Sequence, residues 1–159
     1  MVTLEAILER NNLNRAYKQV KANRGGPGVD GMTVDEFLDY LRAHAVEIVE
    51  TVKAGKYKPQ PVRRVMIPKE EKGKFRPLGI PTAVDRVIQQ AIAQKLSGEY
   101  EPVFSLHSHG FRPCRSCRTA IDEALDIANQ GYVWVVDLDL SKFFDTVNHS
   151  KRERQKFCV

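Results

Sequence analysis

Tyr132-Val133-Trp134-Val135-Val136-Asp137-Leu138-Asp139-Leu140-Ser141-Lys142-Phe143-Phe144-Asp145 joins an apolar run to a set of carboxylates. Its β-branched and aromatic residues predict a strand over 132–140, buried on both faces. Side chains alternate along a strand, so Asp137 and Asp139 share one face while Trp134, Val136 and Leu138 share the other. Two carboxylates at the rim of a sheet need their charge compensated, and a bound divalent cation does this directly. The pattern therefore predicts a metal ledge, about twenty residues before the last one. Ser141 is placed to cap a short helical turn through Phe143, Phe144 and Val147.

The elements on the amino-terminal side follow from periodicity. A helix is expected over 116–129, with Ile121, Ala124, Leu125 and Ala128 buried and Gly131 as its stop. Residues 97–114, with Pro102 and Pro113, read as irregular. A helix from Thr82 to Leu96 turns Val84, Val87, Ile88, Ala91, Ile92 and Leu96 inward and Arg86 outward. Strands at 62–67 and 75–80 are joined by the charged tip Lys69-Glu70-Glu71-Lys72-Gly73-Lys74. Thr33-Val34-Asp35-Glu36 has capping-box spacing and opens a helix to about Ala54, with Phe37, Leu38, Leu41, Ala45, Ile48, Val49 and Val52 as its buried stripe. Residues 3–22 read as one helix capped by Thr3, and the glycine-rich segment 23–31 as a connecting loop or a close backbone approach to a phosphate. The order helix, helix, hairpin, helix, helix, strand is an α+β arrangement.

Composition narrows the partners. Between Lys53 and Arg76 nine basic residues stand against Glu70 and Glu71, so this window carries +7 while the whole chain carries +5. Further basic clusters are Arg112, Arg115 and Arg118, and residues 151–156. Segregated positive charge points to a polyanion, most simply nucleic acid. There is no Gly-x-x-x-x-Gly-Lys-Ser/Thr loop, which excludes a P-loop. No apolar run approaches the roughly 20 residues of a membrane span, and the first residues lack a signal peptide's apolar block, so a cytoplasmic location is expected. Three cysteines do not form a disulfide framework. Cys114 and Cys117 with His107 and His109 have the right ligand types for Zn²⁺ but crowd into eleven residues, and free thiols are the favoured reading.

Four blocks stand in order: residues 14–33 with Gly25-Gly26-Pro27-Gly28-Val29-Asp30-Gly31, then Ile67-Pro68-Lys69 with Gly73 to Pro81 and Asp85-Arg86, then Ser108-His109-Gly110-Phe111-Arg112-Pro113 with Arg115-Ser116, and Asp137 to His149. Together they resemble the reverse transcriptases (maturases) encoded by bacterial group II introns. The resemblance implies the fingers plus partial palm of a right-hand polymerase. Residues 1–110 are then an amino-terminal extension and fingers, 111–149 the start of the palm, and 150–159 a tail outside the family pattern, as at the out-of-frame end of an interrupted gene or at an artificially chosen boundary.

By the same resemblance Asp139 is the catalytic metal ligand, with Asp137 a second candidate ligand. Phe144 lies under the incoming sugar and selects dNTP over NTP. Lys69 and Arg76 hold the triphosphate, while Arg63, Arg64, Ile80, Phe111, Arg112 and Arg115 lie along nucleic acid. Two Mg²⁺ ions, an RNA template, a DNA primer and intron RNA are the implied cofactors and partners. The family supplies two more aspartates from a Tyr/Phe-x-Asp-Asp motif, and no Asp-Asp pair occurs in this sequence. Little polymerisation is expected from the chain alone, and self-association through the incomplete palm is expected. The alternative readings are a non-catalytic RNA-binding module and the remnant of a mobile element.

Overall fold

The computed structural model describes residues 2–70, 72–140 and 143–146, with the side chains of Phe144 and Asp145 outside that description. The chain forms two compact units, residues 1–116 and 117–159.

In the first unit, α1 (Leu4–Ile7) is capped by Thr3, whose Oγ1 accepts from the Ala6 amide at 3.2 Å. The helix expected over 3–22 is broken: Leu8 ends α1, extended Glu9 precedes α2, and α2 runs Arg10–Ala22. The positions three and four after Leu8 are Asn11 and Asn12, so the apolar periodicity lapses at this break. Its cause is Asn12, a buried amide whose Nδ2 donates to the Ile7 carbonyl at 2.8 Å and so takes an acceptor that a continuous helix would use.

The same Nδ2 donates to the Ala91 carbonyl at 3.0 Å, and Gln94 Nε2 donates to Asn12 Oδ1 at 3.0 Å. These bonds set the register of α2 against α4 (Ala83–Tyr100). The core between them is Ala16, Val20, Val34, Phe37, Ala83, Val87 and Ala91. Ala16, Ala83 and Ala91 are fully buried, and small side chains there let the elements approach closely. Replacing Asn12 by alanine is expected to destabilise this unit by about 2 kcal/mol, because it strands buried carbonyl and amide partners. Urea unfolding measures it.

The capping box forms as the sequence predicts. The Thr33 amide donates to Glu36 Oε2 at 2.9 Å, and the Glu36 amide donates to Thr33 Oγ1 at 3.3 Å. These bonds hold the Glu36 carboxyl below its ordinary value, the backbone donor contributing most. In α3 (Phe37–Lys53) Phe37 alone is buried; the rest of the expected stripe is half-covered.

Gly28 is buried against the start of α4: a Cβ there would lie 2.7 Å from Thr82 Cα. Close packing of backbone on backbone therefore accounts for this glycine. Strands β1 (Arg63–Pro68) and β2 (Phe75–Ile80) pair antiparallel, Arg63 opposite Ile80 and Ile67 opposite Arg76. The Lys69 amide donates to the Lys74 carbonyl at 2.8 Å and adds one rung at the tip, where Gly73 takes φ +81°.

The second unit departs most from expectation. α5 (Cys117–Asn129) forms, but it has no buried residue; Ile121 and Leu125 are more than half exposed, contrary to the expected buried face. Residues 132–140 form no strand, and Trp134 is 93% exposed. The physical reason is that a strand exists only through a ladder partner and a core layer. Among the described residues the one sheet is the two-stranded β1–β2 hairpin. α6 (Phe143–Thr146) is the helical turn expected after Ser141; Ser141 itself and Val147 fall outside the described residues.

Candidate nucleotide and nucleic-acid interface

The hairpin register sorts its basic residues by face. Paired residues share a side and sides alternate along each strand. Arg63, Val65, Ile67, Arg76, Leu78 and Ile80 therefore occupy one face, and the rung between Lys69 and Lys74 extends it. Arg64, Met66, Phe75 and Pro77 occupy the other. Three of the four expected contacts along β1 and β2, namely Arg63, Arg76 and Ile80, thus fall on one face; Arg64 does not.

Lys69 and Arg76, with Pro68 and Glu70, line one open concavity of about 370 Å³. A compact ammonium and a planar guanidinium at one hollow suit a polyanionic ligand. Nearly all the hairpin is exposed, so these charges keep their hydration until a ligand arrives.

Asp85 anchors the approach to the hairpin. It is 3% exposed at the first turn of α4. It accepts from Tyr57 Oη at 2.6 Å, from the Gln60 amide at 3.1 Å and from Thr82 Oγ1 at 2.7 Å. The Asp85 amide in turn donates to Thr82 Oγ1 at 3.2 Å. One carboxylate thereby ties the segment that leads into Arg63 to the helical core. Burial, then the bond to Asp85, pushes the Tyr57 phenol well above its ordinary value of 10. Tyr57 was not singled out from the sequence; an Asp three residues after Thr82 was the available signal.

Arg112, expected along nucleic acid, is turned inward, with its side chain 6% exposed. Nη2 and Nε donate to Glu101 Oε1 at 2.7 and 3.1 Å, and Nη1 donates to the Ser105 carbonyl and, at 2.8 Å, to that of Ser108. Its guanidinium carbon lies 5.3 Å from the Phe104 ring centre. Glu101 was not anticipated; it sits in the 3₁₀ turn Glu101–Val103, in a segment whose sequence has no periodicity.

The hydrogen bond from Arg112 holds the Glu101 carboxyl below its ordinary 4.5, with the charges of Arg112 and Arg115 adding to it. A carboxyl with a depressed folded pKa contributes fully above its unfolded value and loses that contribution as pH falls through the folded one. Amide protection across 105–112, taken relative to the intrinsic exchange rate at each pH, should therefore be unchanged from pH 7 to about 5 and fall below the ordinary 4.5. Protection already lost at pH 6 would contradict this.

Phe111 precedes Arg112 with φ +58° and a fully exposed ring; Arg115 is half-buried. Cys114 and Cys117 are exposed free thiols. Asp137 and Asp139 lie on the exposed stretch 132–140. They are hard oxygen donors of the kind Mg²⁺ takes, but no group of three metal-ligating side chains assembles among the described residues. The donor chemistry fits the ion and the donor number does not complete a cage. No helix among the described residues is long and apolar enough to cross a membrane.

Residues 67–159 match the family model described as reverse transcriptase (RNA-dependent DNA polymerase). The chain is 40% identical over 134 residues to the group II intron-encoded protein LtrA of Lactococcus lactis subsp. cremoris, covering 84% of this chain and 22% of LtrA. It is 40% identical over 152 residues to Protein YkfC of Escherichia coli K12, covering 92% of this chain and 40% of YkfC. A putative COX1/OXI3 intron 1 protein of Saccharomyces cerevisiae is 36% identical over 137 residues, covering 84% of this chain and 16% of the yeast protein. The chain thus spans less than half the length of each of these relatives. With the match extending over more than half its residues, the chain belongs to the reverse transcriptase family, and within it resembles the proteins encoded by group II introns.

Proposed function

We propose that this chain supplies the fingers and the first palm segment of an RNA-directed DNA polymerase of the group II intron type. In that role it holds intron and template RNA, takes a deoxynucleoside triphosphate at the hairpin, and serves splicing and retrohoming. The observation that carries this reading is the placement of Arg63, Lys69, Arg76 and Ile80 along one face of the β1–β2 hairpin. Lys69 and Arg76 meet the triphosphate, while Arg63 and Ile80 lie beside the template. Phe144 is the residue under the sugar, Asp139 the catalytic carboxylate and Asp137 its neighbour. In a complete palm Asp139, with Asp137 beside it, would hold Mg²⁺, which would supply charge neutralisation at the phosphates and acidify the primer hydroxyl.

For the free chain, binding of RNA is the activity this reading assigns. Binding of single-stranded RNA, titrated from 50 to 300 mM salt, tests the reading. Affinity should fall with a logarithmic slope of about −0.7 for each phosphate contacted. A slope near zero would defeat it. The exposed apolar residues of 132–140 also support self-association of the free chain, which sedimentation would detect.

A further inference from the structure

Arg112 and Phe111 are neighbours in sequence with opposite fates in space. We propose that Arg112 is a positioning residue which, with Glu101, fixes the loop so that Phe111 is the group meeting nucleic acid, by stacking on an unpaired base. The inference rests on the RNA-binding reading above and assigns the roles within it.

The guanidinium is already engaged. Nε, Nη1 and Nη2 donate to Glu101 and to the Ser105 and Ser108 carbonyls, and the side chain is 6% exposed. A phosphate could reach it only by displacing these acceptors. They come from three places along the segment, and a planar fork can hold all of them at once where a lysine ammonium cannot reproduce the geometry. The Phe104 ring against the guanidinium holds its plane.

Phe111, by contrast, is fully exposed, with φ +58°. A bulky residue rarely takes this left-handed conformation, and persists in it where its surroundings over-determine the backbone. The bonds from Arg112 to Ser105 and Ser108, on the same loop, provide that constraint. An exposed aromatic ring offers a face on which any base can stack.

The test uses the full 159-residue chain and a mixed-sequence single-stranded RNA. Phe111→Ala should weaken binding about tenfold. Glu101→Gln should weaken it by a similar factor, although removing a negative charge would by itself tighten RNA binding. Neither should alter the salt slope. In the Phe111→Ala background, Glu101→Gln and Arg112→Gln should cost nothing further, since they act through a ring already gone.

Unchanged or tighter binding by Glu101→Gln overturns the proposal. So does a slope reduced by about 0.7 in Arg112→Gln, the signature of a lost phosphate contact, or a full additive loss in the double variants. Failure of the parent chain to bind RNA at low salt would instead defeat the RNA-binding reading. Amide exchange across 105–112 in the free chain then decides the positioning role: faster exchange in Glu101→Gln and Arg112→Lys supports it, and unchanged exchange overturns it.

Discussion

Replacing Asp85 by alanine is expected to destabilise the first unit by about 3–4 kcal/mol. The carboxylate is 3% exposed and accepts from Tyr57, Gln60 and Thr82, so alanine leaves three donors short of one acceptor. Bonds to a charged acceptor contribute roughly 1.5–3 kcal/mol each but do not add in full. Denaturant unfolding measures the loss; a change below about 1 kcal/mol would show that the network contributes little to stability. Asparagine should cost less, because one of its two terminal atoms still accepts. High pH probes the same bond. The Tyr57 phenol is raised in the folded state, so its contribution is full below the ordinary value of 10 and stability declines as pH rises beyond it.

The second large effect concerns the hairpin. The double variant Lys69→Ala/Arg76→Ala should lower affinity for a deoxynucleoside triphosphate by about 100-fold or more. Two charge-assisted contacts of roughly 1.5–3 kcal/mol each convert to that range at about 1.4 kcal/mol per decade. Arg64→Ala removes the same charge as Arg76→Ala but lies on the opposite face of the hairpin. It should change triphosphate affinity by no more than about threefold, since screening leaves little of a charge across the ribbon. Equilibrium dialysis with Mg²⁺ and one dNTP compares them. Equal losses from Arg64→Ala and Arg76→Ala would mean that net charge, and not the face, governs binding.

The elements that sequence alone anticipated are those whose causes are local. Thr33 and Glu36 form their reciprocal cap because three residues separate them. The hairpin follows from two short apolar runs around a glycine tip, and its register needs nothing beyond strand pairing. Family membership was readable for a related reason: motif blocks keep their order and spacing in one dimension, and the family match agrees with them.

Long-range partners decided the rest. The apolar residues on either side of Asn11 and Asn12 read as one helix over 3–22, yet Asn12 breaks it because its amide meets Ile7 and, 79 positions away in sequence, Ala91. Arg112 reads as one more basic residue in a cluster until Glu101, Ser105 and Ser108 are found around its guanidinium. The apolar stretch 132–140 shows the converse, a strong strand pattern without a strand, because pattern supplies the preference and a neighbour supplies the ladder.

Sequence by itself thus determined the local elements, the segregated positive charge and the family of this protein. The tertiary structure alone decided which charges remain available to a ligand and which are consumed inside the fold. The physical reason is that a side chain's type sets what it can bind, whereas its burial and its partners set whether that capacity is already spent.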